Sequence, residues 1–366
     1  MRKFRLVGNT PALAYLAGRL AEENENVEWW SSGFFPSLRS LRLRSESFHD
    51  LLYYFKRSSL DLEFLSRSPK IESWGTLNDG GIVLKFWKDF DEDFEDHFVD
   101  GAQLFSRLRA AAVSRGVKVR DFSASFPNPL VGLEANTCLV TDVQALETRQ
   151  WPKSLNITKT YQAAFMHVQS VWFAGLPASV SAARGLAFAE WRGVQAVLEP
   201  HGEKGWNLTL CSRSLYFLDR VFQDIMNPRI HGLSEVRALF LLNGRQSGEE
   251  QYRVQVGKVS QVLPSACSLG NSIGNFHPLS NQGDDFAFRQ TERFIQKTKR
   301  NRAYDDVGQL HFAEWWNAEE IKKFESELGR GRIWCKLIFS KRWGRYVIQA
   351  LRYVPKTLRE TLKSPA

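Results

Sequence analysis

The chain has 366 residues, a formal net charge of +9, and 43% hydrophobic residues of which many are aromatic. That apolar content supports a real core and excludes wholesale disorder, and no apolar run reaches the ~18–20 residues that a membrane span needs. The four cysteines (Cys138, Cys211, Cys267, Cys335) are far apart and form no C-x-x-C pair, which argues against a disulfide framework or a metal cluster and for a reducing cytoplasm.

The basic charge is spread along the chain, and no nucleic-acid-binding module is recognisable. The N-terminal Met1–Arg5 stretch superficially resembles a secretory leader, but Gly8, Asn9, Thr10 and Pro11 interrupt the apolar run that would follow. A strand, turn and helix explain those residues better. Residues 3–7 alternate as a short strand that ends at Gly8. Thr10 is a helix N-cap, and Pro11 takes the first helical position, where a missing N–H costs nothing. Leu13, Leu16, Ala17 and Leu20 then recur at helical spacing, and residues 27–30 give a second strand. This β-α-β opening implies a parallel sheet with a right-handed crossover.

Residues 31–100 are mixed, with a basic stretch (Arg39, Arg42, Arg44) and an acidic one from Asp89 to Asp96. A helix is expected over 101–116, then strands over 117–124 and 136–141. Strands follow at 163–168, 185–191, 195–198 and 206–211, predicting a sheet layer in mid-chain. A helix is expected over 213–226, and a glycine-rich loop near Gly270 leads into another over 284–299. Residues 311–362 read as helical and rich in Trp, Lys and Arg.

Three stretches carry chemistry. The first is Val7-Gly8-Asn9-Thr10-Pro11-Ala12-Leu13-Ala14, a strand-to-helix turn of the kind whose N–H groups face a pyrophosphate. The second is Leu139-Val140-Thr141-Asp142 running on to Arg149. The third is Gly270-Asn271-Ser272-Ile273-Gly274-Asn275-Phe276-His277-Pro278-Leu279-Ser280-Asn281-Gln282-Gly283-Asp284-Asp285-Phe286-Ala287-Phe288-Arg289.

In this order and at these positions the three stretches resemble the motifs of the FAD-dependent aromatic hydroxylases of the p-hydroxybenzoate hydroxylase type, closest to the ubiquinone-pathway branch. The first resembles the G-x-G-P-A-G phosphate loop, with Thr10 and Leu13 in place of two glycines. The second is similar to G-A-D-G-x-x-S-x-V-R, with Val143 for a glycine and Leu146 for the serine. The third is similar to G-N-A-A-x-x-x-H-P-x-x-G-Q-G-x-N-x-x-x-R-D, with Asn281 for a glycine, Asp285 for an asparagine and Gln290 for the last acid. The acid that usually closes the adenosine ribose is missing, since Trp29-Trp30-Ser31-Ser32 stands there and Glu28 comes too early.

The resemblance implies an α/β fold: a Rossmann-like FAD-binding domain (1–160 and 226–310), an inserted, mainly β substrate layer (161–225) and a helical C-terminal segment (311–366). It implies FAD held by Gly8, Thr10, Pro11, Ala12, Ser32, Arg39, Gln103, Asp142, Gly270, Asn271, Gln282, Gly283 and Asp285, with NAD(P)H as reductant. His277 and Pro278 would lie beside the flavin ring, His277 as proton relay or ring contact. The implied activity is oxygen-dependent hydroxylation of an aromatic substrate through an oxygen adduct at flavin C4a. Two alternatives are a flavoprotein that modifies tryptophans of a partner protein to build a quinone cofactor, and an accessory protein that keeps the fold without catalysis. Phe165, Trp172, Phe173, Phe188, Trp191 and Trp206 are the expected roof of an aromatic pocket, and the basic-aromatic run 342–353 offers peripheral membrane contact.

Overall fold

The computed structural model describes residues 2–31, 40–71, 73–76, 87–88, 96–121, 133–134, 137–142, 165–174, 185–201, 205–226, 246–258, 266–280, 282–300 and 306–339. Its opening is the expected unit of β1 (Lys3–Val7), α1 (Pro11–Glu22) and β2 (Asn26–Ser31). Thr10 caps α1 by accepting the Leu13 N–H at 3.3 Å, and Leu13, Leu16 and Ala17 on the inward stripe are fully buried. β1 and β2 pair in parallel from Lys3↔Asn26 to Val7↔Trp30. With β8 (Lys118–Asp121), β9 (Thr137–Thr141) and β16 (Ala266–Ser268) they form a five-stranded parallel sheet in the order β16-β9-β1-β2-β8. Helices α4 (Gly101–Ser114) and α6 (Gln282–Arg300) pack against α1 and close one shared core around Phe4, Leu13, Trp29 and Phe105.

The second layer is a larger sheet, in the order β14-β10-β13-β12-β11-β5-β6. It combines β10 (Phe165–Phe173), β11 (Gly185–Trp191), β12 (Val194–His201) and β13 (Gly205–Ser212) with strands from well outside the strand-rich segment. These are β5 (Ser73–Thr76) and β6 (Trp87–Lys88) on one side and β14 (Gln246–Gln255) on the other, with the two-residue strand β15 (Gly257–Lys258) following β14 outside this sheet. The sequence reading missed β14, because GEEQYR is too polar to read as a strand. It holds its place through antiparallel pairing with β10, from Phe165↔Gln255 onward.

Side chains alternate across this sheet. Val171, Phe173, Ala196, Leu198, Leu208 and Leu210 form a core with α5 (Leu215–Met226). Val168, Val197, Phe188 and Cys211 point the other way and pack with Phe276, Leu279 and Phe286. A smaller antiparallel sheet of β3 (Ser40–Arg44), β7 (Asp96–Asp100) and β4 (Lys70–Ile71) adds Phe98 to this second core. Two short helices, α2 (Ser45–Arg57) and α3 (Leu62–Ser66), follow β3.

The long helix α7 (Asp306–Ile338) finishes the described chain. It covers the outer edge of the parallel sheet at β16. Asn317 accepts the Ser268 N–H at 2.9 Å and donates to the Ala266 carbonyl at 2.8 Å, and Trp316 donates to the Ser268 carbonyl at 3.0 Å. A bare edge strand would invite pairing with another chain, and these side chains occupy its hydrogen-bonding groups. No described helix is long and apolar enough to cross a membrane.

Buried charge joins α6 to α7 and α2. Arg289 forks onto Glu327 at 3.0 and 2.8 Å and bonds Asp285 at 2.9 Å, while Asp285 also accepts from Ser47 Oγ at 2.7 Å and the Arg44 N–H at 3.1 Å. Burial alone would raise the Asp285 pKa, but Arg289 and Arg44 hold it below the ordinary carboxylate value. Replacing Arg289 by Met leaves buried Glu327 without its arginine and leaves Asp285 to Arg44, whose guanidinium is 3.6 Å away. Arg289→Met should therefore cost about 3–5 kcal/mol in urea unfolding, and the triple replacement of Asp285, Arg289 and Glu327 by apolar residues should cost far less.

Candidate functional site

The first two motifs close on each other at the carboxyl ends of β1 and β9. Gly8 adopts φ +142°, a region that favours glycine. Its N–H donates to the Trp30 carbonyl at 3.0 Å, and its own carbonyl accepts from Trp29 Nε1 at 3.0 Å. Asp142 follows β9 and is buried, with its N–H bonded to the Val7 carbonyl at 3.2 Å. Its Oδ2 accepts the Thr10 N–H at 3.2 Å and the Thr10 hydroxyl. A Cβ on Gly8 would lie 1.5 Å from Asp142 Oδ1, so glycine is required there by contact as well as by conformation. The carboxylate thus lies at the positive end of α1. Pro11 has no N–H and Thr10 Oγ takes that of Leu13, so the Ala12 N–H is the first-turn donor with no hydrogen bond among the described residues.

The third motif reaches the same place. Leu269 N–H and Ser272 Oγ both donate to the Thr141 carbonyl at 2.9 Å, immediately before Asp142. Gly270 adopts φ +49°, and its N–H is held at 2.7 Å by Gln290, which stands where the resemblance expects an acid. Asn271 is half-buried, and its amide makes no hydrogen bond among the described residues. Gly283 lies in the first turn of α6, where a Cβ would meet only Phe276, at an ordinary 3.7 Å.

His277 and Pro278 form the turn between these parts. His277 Nδ1 accepts the Leu279 N–H at 3.3 Å, and its carbonyl accepts from Ser280. Burial, helped by the charge of Arg213, lowers the His277 pKa to about 4, so the imidazole is neutral at pH 7.

Three expected cofactor residues are engaged elsewhere. The Asp285 carboxylate belongs to the Arg44–Arg289 network, because α6 begins at Gln282 and Asp285, in its first turn, already faces α2. Gln282 Oε1 is buried 2.7 Å from where a Cβ on Gly331 of α7 would stand, so this amide packs under the helix. Gln103 is exposed in the first turn of α4, and its N–H and Nε2 both donate to Asp100 at 2.9 Å. Ser31 donates to Asn9 Oδ1 at 2.9 Å, and Glu28 pairs with Arg5 and Arg120, away from the loop. Ser32, Arg39, residues 143–149, Asn281 and the run 342–353 lie outside the described residues.

The aromatic roof divides. Phe173, Trp191 and Trp206 pack under α5, and Phe165 is exposed with the Arg253 guanidinium 3.5 Å from its ring centre. Only Trp172 and Phe188 belong to the face toward the third motif, because strand alternation sends successive side chains to opposite sides. Two features of the site escaped sequence reading. The Asp285/Arg289 spacing of i, i+4 is a legible ion-pair signal, whereas nothing local marks Gln290 as the partner of Gly270.

No family model and no curated protein matches the sequence. The fold does match solved structures. Pseudomonas aeruginosa PqsL in complex with 2-aminobenzoylacetate aligns over 96% of this chain and 99% of that one, at 14% identity and a TM-score of 0.68. CtdE in complex with FAD and a substrate aligns over 95% and 92%, at 13% identity and 0.68. The flavin-dependent brominase Bmp2 aligns over 98% and 99%, at 12% identity and 0.63. The chain therefore has the fold of flavin-dependent monooxygenases and halogenases, over essentially its whole length.

The depressed His277 pKa carries a stability signature. Between pH 6.5 and about 4 the unfolded chain binds a proton here that the folded chain does not, so stability is lost as pH falls through that window. Denaturant midpoints should show wild type losing about 1–3 kcal/mol relative to His277→Gln between pH 7 and pH 4, with no such gap if the ring titrates normally.

Proposed function

We propose that this protein is an FAD-dependent oxidoreductase of the monooxygenase kind that acts on an aromatic substrate. The observation that carries the reading is the convergence of three sequence-distant motifs at the carboxyl ends of β1, β9 and β16. Ligands of parallel α/β sheets bind outside those ends.

The residues present fit FAD at one end better than at the other. The Ala12 N–H and the positive end of α1 suit a pyrophosphate, although Asp142 already places one negative charge nearby. Asn271 offers an uncommitted amide to ribityl hydroxyls. Gly283 leaves space for a ring edge at the start of α6, where the helix N-terminus favours negative charge. The adenosine end has no described carboxylate to hold the ribose, so binding is expected to be looser there. When bound, FAD supplies the redox chemistry and oxygen activation, with electrons from NAD(P)H or another donor. The protein's share is to position the ring beside Pro278 and keep water out with the Phe188 face of the large sheet. The neutral His277 ring offers a site for a proton, provided its Nδ1 contact with Leu279 opens.

The gently purified protein is expected to show flavin absorption bands, or to acquire them with added FAD, and to release FAD on denaturation. Gly283→Ala should leave the melting temperature unchanged, since its Cβ meets no strained contact, yet weaken FAD binding by about ten-fold through crowding of the ligand. Unaltered FAD affinity in that variant would displace the ring from this position. A protein that takes up no FAD at all would favour an accessory role for the fold. If FAD binds and cycles, turnover of a free phenol or of a tryptophan in a partner protein separates the two substrate classes.

A further inference from the structure

The large sheet turns an unusual set of side chains toward the third motif. Cross-strand register places them in rows: Val168–Cys211–Gln195, then Ser170–Thr209–Val197–Phe188, then Trp172–Asn207–Glu199. The first two rows contribute Val168, Cys211, Val197 and Phe188 to the core shared with Phe276 and Leu279. The third row lies farther along the strands and is polar, yet Asn207 and Glu199 are only 2% and 3% exposed.

The chemistry of that row fixes the orientation of Asn207. Its Nδ2 donates to Glu199 Oε1 at 3.1 Å and to Thr209 Oγ1 at 3.0 Å. A carboxylate only accepts hydrogen bonds, so the amide cannot be flipped without opposing two oxygens. Both N–H groups are therefore used, and Oδ1 is left as a buried acceptor with no hydrogen bond among the described residues. An unsatisfied buried acceptor destabilises the fold, and a ligand donor would remove that cost. Thr209 and Ser170, 3.1 Å apart, complete a satisfied pair behind it.

We propose that Asn207 Oδ1 is the hydrogen-bond acceptor that selects an aromatic substrate bearing an N–H or O–H donor, with the Trp172 indole beside it in the same row. The proposal deepens the flavin-enzyme reading and rests on it. Glu199 acts as the positioning residue, since a carboxylate can only accept and so keeps the Nδ2 end of the amide toward itself with Oδ1 turned away.

The test uses matched probes, phenol with anisole and indole with 1-methylindole. Binding is read both from perturbation of the bound-FAD absorption bands and from the rise in melting temperature of FAD-free protein. Methylation makes each probe more apolar, so burial alone favours the methylated member. Wild type is expected to prefer the donor-bearing member of each pair by about ten-fold. Asn207→Leu should abolish the preference while retaining FAD, and Thr209→Val, which leaves Oδ1 in place, should keep it. Equal or inverted affinities in wild type overturn the proposal whether or not the variants fold. A preference that survives Asn207→Leu, or that disappears equally in Thr209→Val, also overturns it. Failure of wild type to take up FAD removes the flavin reading and this proposal together, whereas FAD uptake without donor preference removes the proposal alone.

Discussion

The buried charge cluster of Asp285, Arg289 and Glu327 is the constraint on which the arrangement of this molecule rests. It lies where three pieces of chain meet: the β3–α2 corner through Arg44 and Ser47, the helix that ends the third motif, and the long covering helix. Charges this deeply buried tolerate little change of geometry, because separating them exposes each to a low-dielectric surrounding without its partner. The third motif is therefore fixed in position from behind. A second polar chain reinforces it. Gly270 N–H bonds Gln290, Gln290 bonds Glu320 at 3.1 Å, and Glu320 is forked by Arg293.

With the third motif anchored, the loop after β1 has little freedom of its own. Asp142 bridges it to β9, and Leu269 and Ser272 bridge β9 to the third motif. The site is thus assembled from backbone and short polar groups at strand ends, with rigid elements behind them. Such a site can lose loop glycines and keep its shape. Thr10 offers an example: the hydroxyl that replaces a glycine caps α1 and also holds the bridging carboxylate.

The large sheet divides its labour by face. One face is closed by α5 with aliphatic and aromatic side chains, and it contributes stability. The other joins an apolar floor near His277 to the polar row of Trp172, Asn207 and Glu199. Polar groups are costly to bury without partners, so their concentration on the face toward the motifs, and not on the α5 face, gives that face its chemical character.

The sequence by itself determined the elements whose signals are local. The Thr10-Pro11 cap with its apolar stripe specified α1, and the alternation in residues 185–211 specified strands. The spacing of Gly270, Asn271, His277, Pro278 and Gly283 pointed to the fold that the solved structures share. Only the tertiary structure decided what depends on partners distant along the chain. β14 is a strand because β10 pairs with it, in spite of its polar residues. Asp285 and Gln282 sit at motif positions and Gln103 is another residue expected to hold the cofactor, yet their side chains are engaged by Arg289, α7 and Asp100. The expected aromatic roof divided for a related reason: period-two alternation is visible in one strand, but which face meets α5 and which meets the third motif is set by packing between layers. A motif fixes where the backbone turns, whereas the use of each side chain is set by the charge and shape of whatever the fold brings against it.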